Sequence, residues 1–422
     1  MTETFDTPSR YFAYREGRLF VEEVDLQEIA EHYQTPTYVY SQAALLDALE
    51  GYRKGLEGIP HLIAYSVKAN GNLALLRLLA EQGAGADLTS GGEMQLALRG
   101  GVPAERMVFS GVGKTDKEIR DALRAGVRML NVESEPELET ISAIAEDLGQ
   151  PAPISIRVNP NIDAKTHPKI TTGLKEHKFG VPWDQAVALY RRAAGLSWIQ
   201  ILGISAHIGS SLADTTPLLQ TLDRLLELRD TLQKEGIPIT TLDLGGGLGI
   251  RYDQESPDTP ESYAAKIKER LRSAGVMLIL EPGRSIVGNS AVLLCRVTYV
   301  KRSDDHTFVV VDAGMNDLAR PAIYGAFHRI VPVSLAETET ESVNVVGPIC
   351  ESSDVFGKQR VLPRCRRGDL LAICSAGAYG FSMASHYNGR VLPAEVLISR
   401  KIHRLVRKRE TVEELWRHQI WE

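Results

Sequence analysis

Between residues 61 and 281 the chain alternates short apolar runs with helix-signalled stretches, and it does so eight times. The runs are HLIAYSV (61–67), GAGADL (83–88), RMVFS (106–110), VRMLNV (127–132), APISIRV (152–158), ILGISAH (201–207), ITTLDL (239–244) and VMLILE (276–281). They are rich in aliphatic and β-branched residues without strict alternation, the pattern of strands buried on both faces. Between them, Ser90-x-x-Glu93, Thr115-x-x-Glu118 and Ser134-x-x-Glu137 each supply an acceptor for the orphan N–H groups of a helix start. Gly83, Gly126, Gly149, Gly236 and Gly275 follow helical stretches, where a left-handed residue ends a helix. Eight such units over roughly 240 residues predict a (β/α)8 TIM barrel. A doubly wound open sheet satisfies the same periodicity, because a strand pattern does not show closure.

After Arg284 the texture changes. CRVTYVKR, HTFVVVDAG, SVNVVGPIC, DLLAICSAG and AEVLISRKI are strand-like runs separated by turn residues, so a β-rich C-terminal domain is expected. YFAYREGRLFVEEV (11–24) reads as a hairpin with Glu16-Gly17 in its turn, and it is expected to join the C-terminal sheet rather than the barrel. The division is therefore an N-terminal segment 1–36, a barrel 37–285, and a β-rich domain 286–422 that resembles a β-sandwich or barrel. The closing ETVEELWRHQI is read as a short amphipathic helix.

A formal net charge of -6 gives no basic field for nucleic acid or an anionic membrane. No apolar run approaches the roughly 18 residues of a membrane span. MTETFDTPSR lacks a basic region followed by an apolar one, so no secretory signal is expected. Four cysteines without CxxC spacing suit reduced thiols in a cytoplasm. No HExxH or paired Cys/His spacing occurs, so no metal site is expected.

In a barrel of this kind, functional groups sit where strands end. Lys68 follows the first run, in AYSVKAN; it is either an exposed loop lysine or an amine whose pKa burial lowers, suiting it to imine formation with an aldehyde. LDLGGGLGI ends the seventh run, and Gly245, Gly246, Gly247 and Gly249 make either a tight turn or a backbone cradle for phosphate. SGVGKT (110–115) is not a P-loop, since Val108 stands where that motif needs glycine. LEPGRS ends the eighth run. Glu281 there can hold a pyridine nitrogen protonated, Arg284 offers a fork for a carboxylate or phosphate, and a structural ion pair is the plainer alternative. His207 is a ring to stack on a cofactor or a satisfied core histidine, with Ser210 close by. Cys350-Glu351 pairs a thiol with a carboxylate, though cysteines are more often simply buried. Tyr379 lies between Gly377 and Gly380.

Taken in order, YSVKAN, NPNIDAKTHPKITTGLKEHKFG, AHIGS, DLGGGLG, EPGRS, DAGMNDLARPAIYGA, GPICESSDVFG and GAYGFSMAS with YN closely resemble the diaminopimelate decarboxylase family. These are fold-type III pyridoxal 5'-phosphate enzymes related to alanine racemase and ornithine decarboxylase. The resemblance runs from TPTYVYS (35–41) to RVLPAEVL (390–397). It implies a (β/α)8 barrel with a C-terminal β-domain, and decarboxylation of meso-2,6-diaminopimelate at its D-centre to L-lysine and CO2. It implies that Lys68 holds the cofactor as a Schiff base, His207 stacks on the ring and Glu281 meets its nitrogen. Ser210, Gly245, Gly246, Gly247, Pro282, Gly283, Arg284 and Tyr379 complete the implied cofactor site. Arg284, Arg320, Tyr324, Glu351 and Tyr379 match substrate-binding positions, and Cys350 matches the proton donor. The resemblance further implies a homodimer, with Cys350 and Glu351 supplied across the interface. His386 and Val391 depart from the family pattern, while Tyr387, Asn388 and PAEVL keep it.

The nearest alternative is a related decarboxylase acting on carboxynorspermidine, ornithine or arginine. A distal carboxylate clamp argues against diamine-ended substrates. A racemase is disfavoured by Glu281, which makes a strong electron sink. A non-catalytic homologue is disfavoured by the joint presence of Lys68, Cys350 and Glu351.

Overall fold

The computed structural model describes residues 5–163 and 178–421, so residues 164–177 of the NPNIDAKTHPKITTGLKEHKFG segment lie outside the described residues. The eight expected strands are all present, at His61–Ser66, Gly85–Leu88, Met107–Phe109, Met129–Val132, Ala152–Asn159, Ile199–Ser205, Thr241–Asp243 and Met277–Leu280 (β1–β8). Every neighbouring pair is parallel. Leu278–Leu280 of β8 then pairs with His61–Ile63 of β1, which closes the ring and excludes the open sheet.

Local chemistry explains the helices between the strands. Thr115 and Glu118 form the full reciprocal capping box, whereas Ser90 and Ser134 cap the backbone N–H of Glu93 and Glu137. Glu93 and Glu137 turn instead to the backbone N–H groups of Thr89 and Glu133. All five helix-ending glycines have positive φ. One detail departs from eight equal repeats. Seven helices follow β1–β7, but β8 leads into a helix of only four residues, Arg284–Val287. The helix Gln42–Gly55, which precedes β1, packs on Pro260–Leu271; a Cβ on Gly55 would lie 2.4 Å from that of Ala264. Inside the ring, Leu62, Ala64, Val108, Met129 and Ile279 form an apolar layer. Toward the C-terminal strand ends the lining becomes polar, with Asp87, Asn131, Ser155, Ser205, Asp243 and Glu281 all buried.

Contacts divide the chain into two compact units, one of residues 48–250 with 256–285 and one of residues 1–47 with 251–255 and 286–422. The second unit carries a nine-stranded sheet around the long strand Ala291–Arg302. The expected hairpin forms, Phe12–Arg15 against Arg18–Val21, but it builds its own three-stranded sheet. An isolated bridge, Arg18 to Ser334, links it to the larger region, with the Leu19 N–H donating to the Val333 carbonyl and the Leu335 N–H to that of Gly17. The N-terminal strand that enters the large sheet is Thr37–Ser41, between Ala291–Arg302 and Ala394–Ser399. Leu19, Val21, Leu26 and Ile29 share one core with Val292, Leu294, Val331 and Val396. The terminal segment forms only the 3-10 turn Val412–Leu415 rather than an amphipathic helix, with Trp416 and Ile420 exposed. No helix among the described residues is long and apolar enough to cross a membrane.

Candidate active site

Lys68 sits in a single 3-10 turn, Val67–Ala69, directly after β1, so the strand itself fixes where the amine points. Its Nζ donates to Asp87 Oδ2 at 2.8 Å, and Ser66 Oγ donates to the same oxygen at 2.7 Å. Asp87 is fully buried, and its Oδ1 has no hydrogen-bond partner among the described residues. Ser66 also reaches the backbone carbonyl of Glu281 at 2.9 Å, tying the ends of β1 and β8 together. A side chain at 283 would meet Ser66 and Ala69 at about 3 Å, so glycine is needed at that crossing.

Glu281 is buried among Asp243, Ser110 and Asn131. Burial, then Asp243 and Asp87, pushes its pKa well above the carboxylate range, against a smaller opposing pull from Lys68. Burial pushes Asp243 up to about 6, although the Gly245 N–H and the Asn131 amide hydrogen-bond its charged form. The two carboxyls share a hydrogen bond, which requires one of them to carry a proton. His207 is held well below its ordinary pKa by burial, then by the charges of Arg157 and Lys68. Its Nδ1 accepts from the Gly246 N–H at 3.3 Å, so the neutral ring carries its proton on Nε2.

The glycine run is tight on every side. Gly245 and Gly247 have φ of 65° and 117°, and a Cβ on Gly246 would lie 2.4 Å from the Glu281 carbonyl oxygen. Backbone therefore lines this part of the barrel mouth. Beside it, Arg284 Nη2 donates to Ser210 Oγ at 3.3 Å. Lys68, His207, Ser210, Gly245–Gly247 and Glu281–Arg284 are thus all built from the C-terminal ends of β1, β6, β7 and β8.

In the other unit, Arg320 and Tyr324 open and close the one-turn helix Arg320–Tyr324, which Gly325 ends at φ 61°. Cys350 is exposed, whereas Cys295, Cys365 and Cys374 are buried. The Cys350 N–H donates to Asn388 Oδ1 at 2.8 Å. Glu351 is held below its ordinary pKa by the hydroxyls of Ser353 and Tyr387. Tyr379 has φ 56° between Gly377 and Gly380, whose Cβ positions would collide with the Val287 and Ala376 carbonyls. Among the described residues no cluster of His, Cys, Asp and Glu could hold a metal ion.

Sequence reading did not single out Asp87, Asp243 or Asn131. Each is a polar residue at the end of an apolar strand (GADL, TLD, MLNV), and that placement was the available signal.

Residues 43–288 match the family described as pyridoxal-dependent decarboxylase, pyridoxal binding domain. The diaminopimelate decarboxylase of Pseudomonas aeruginosa is 49% identical over 96% of this chain and 97% of its own. The structure of diaminopimelate decarboxylase from M. jannaschii in complex with L-lysine superposes with a TM-score of 0.94, 39% identity and 99% of both chains covered. That from Helicobacter pylori, also complexed with L-lysine, gives 0.90 and 44% identity over 93% of this chain and 98% of its own.

Proposed function

The chain belongs to the pyridoxal-dependent diaminopimelate decarboxylases, and from that premise we propose how its residues divide the work of removing CO2 from the D-centre of meso-diaminopimelate to leave L-lysine. The observation that carries the reading is the meeting, in one barrel mouth, of the Lys68 amine, a Glu281 that keeps its proton, and a His207 kept neutral.

Pyridoxal 5'-phosphate, when bound, supplies an aldehyde carbon for imine formation and a ring that accepts the electrons left by CO2. The barrel residues fit it. Lys68 offers the amine at the end of β1. Glu281 would face the ring nitrogen, giving up to it the proton held in this dry, acidic surrounding and remaining as the carboxylate that keeps the nitrogen cationic. His207 presents a neutral ring for stacking, fixed through the Gly246 N–H. Gly245, Gly246 and Gly247, with Ser210, Pro282, Gly283 and Arg284, hold the phosphate end. Asp87 orients the Lys68 amine at the end of β1.

On the substrate, Arg284, Arg320 and Tyr324 take the distal carboxylate, and Glu351, ionised, takes the distal ammonium. Tyr379 touches both cofactor and substrate. Cys350, the exposed thiol, delivers a proton to the carbon that has lost CO2. We assign Cys350 and Glu351 to a second copy of the chain in a homodimer, and the reaction to the cytoplasm, where four cysteines without a disulfide are at home.

Carbon dioxide release from purified enzyme separates this substrate from its rivals. Turnover of meso-diaminopimelate should exceed that of ornithine, arginine and carboxynorspermidine by at least about 100-fold in kcat/KM, because a buried polar site rejects an end it cannot satisfy. Faster turnover of any of the three overturns the substrate assignment.

A further inference from the structure

Arg320 is buried and begins the helix Arg320–Tyr324. Its Nη1 lies 2.9 Å from His328 Nε2, and its Cζ sits 4.9 Å from the centroid of the Tyr252 ring. His328 is wholly buried, with Nδ1 2.9 Å from the Cys374 carbonyl oxygen. The Tyr252 and His328 rings meet edge to face at 5.3 Å.

The two hydrogen bonds settle the histidine's protonation. A carbonyl oxygen only accepts, so Nδ1 carries a hydrogen; a guanidinium only donates, so Nε2 offers a lone pair. His328 is therefore a neutral acceptor for Arg320. An imidazole in this place orients the guanidinium while leaving its positive charge intact. A carboxylate would orient it too, but would cancel the charge that an anionic ligand needs. Tyr252 fixes the plane of the same group through its face.

We propose that His328, with Tyr252 beneath the guanidinium, is the positioning residue that aims Arg320 at the distal carboxylate and so sets the preference for a carboxylate-ended ligand. This rests on the reading that Arg320 meets that carboxylate. No bond to the reacting carbon is involved, so the expected signature is in binding rather than in chemistry.

L-lysine retains the distal carboxylate and cadaverine lacks it, so their dissociation constants from the cofactor-loaded enzyme isolate that contact. His328→Leu removes the acceptor. It should weaken L-lysine at least tenfold and leave cadaverine within about twofold, since a hydrogen bond to a charged group is worth about one to two powers of ten. His328→Gln can span the same two partners, accepting from Arg320 and donating to Cys374, and should restore L-lysine binding to within about threefold. Should the leucine variant fail to fold, Tyr252→Leu tests the same aim and should lower L-lysine affinity selectively. Arg320→Ala separates the two ideas. If it weakens L-lysine while His328→Leu and Tyr252→Leu do not, the inference falls and the reading of Arg320 stands. If Arg320→Ala also leaves L-lysine binding unchanged, that reading falls with it. Equal weakening of both ligands in His328→Leu would make the histidine merely structural and overturn the proposal.

Discussion

Asp87, Asp243 and Glu281 crowd the C-terminal strand ends with Lys68 nearby, and water is largely excluded from them. Like charges in a dry site cannot all persist, so Glu281 and Asp243 hold on to a proton that water would remove. Both are raised above their unfolded values, so the folded chain binds more protons than the unfolded one. The stability this pair lends is therefore full at low pH and declines as pH rises, for Asp243 between the ordinary value near 4 and about 6. Urea midpoints of the cofactor-free protein should show it. Relative to Asp243→Asn, wild type should lose up to about 3 kcal/mol across that window. A difference between the two proteins that does not change with pH contradicts this account of the pair. The same crowding serves the reaction, because the proton stored on Glu281 can pass to a basic ring nitrogen and leave a carboxylate to hold that nitrogen cationic.

At the level of elements, glycines act for two distinct reasons, and substitutions tell them apart. Gly126 ends its helix at φ 75° with nothing near its absent side chain, so Gly126→Ala meets only the left-handed backbone penalty. It should cost about 1 kcal/mol and leave cofactor affinity alone. At Gly246, by contrast, an added Cβ would lie only 2.4 Å from the Glu281 carbonyl oxygen. Gly246→Ala must displace the end of β7 or β8, and should weaken pyridoxal phosphate at least about tenfold, read as the absorbance of bound cofactor. Unaltered affinity would show that the glycine run is only a turn. The N-terminal hairpin offers a test of opposite sign. Glu16 and Gly17 have φ of 49° and 76°, the two positive values of a type I′ turn, in which asparagine is preferred at the first place. Glu16→Asn should stabilise the protein by about 0.5 kcal/mol in thermal melting, and a lower Tm would count against the turn assignment.

At the scale of the whole molecule, the barrel was legible because β1–β8 are short, apolar and punctuated by caps and glycines that obey local rules. Closure was not, since the pairing of Leu278–Leu280 with His61–Ile63 joins residues more than 200 apart and leaves no local trace. The same distance hid Thr37–Ser41, whose partners lie near residues 291 and 394. Lys68, Glu281 and Cys350 could be picked out as residue types at strand ends or beside acids. Asp243 and His328 could not, because their meaning comes from what folding brings beside them. Lys68 is the amine on which the decarboxylase chemistry of this barrel depends. Carbon dioxide and L-lysine released from meso-diaminopimelate, measured for wild type and Lys68→Ala with pyridoxal phosphate in excess, test it most directly. Wild type should release the two in equal amounts, and the variant should be slower by at least about a thousandfold. Equal rates in the two proteins would contradict the assignment.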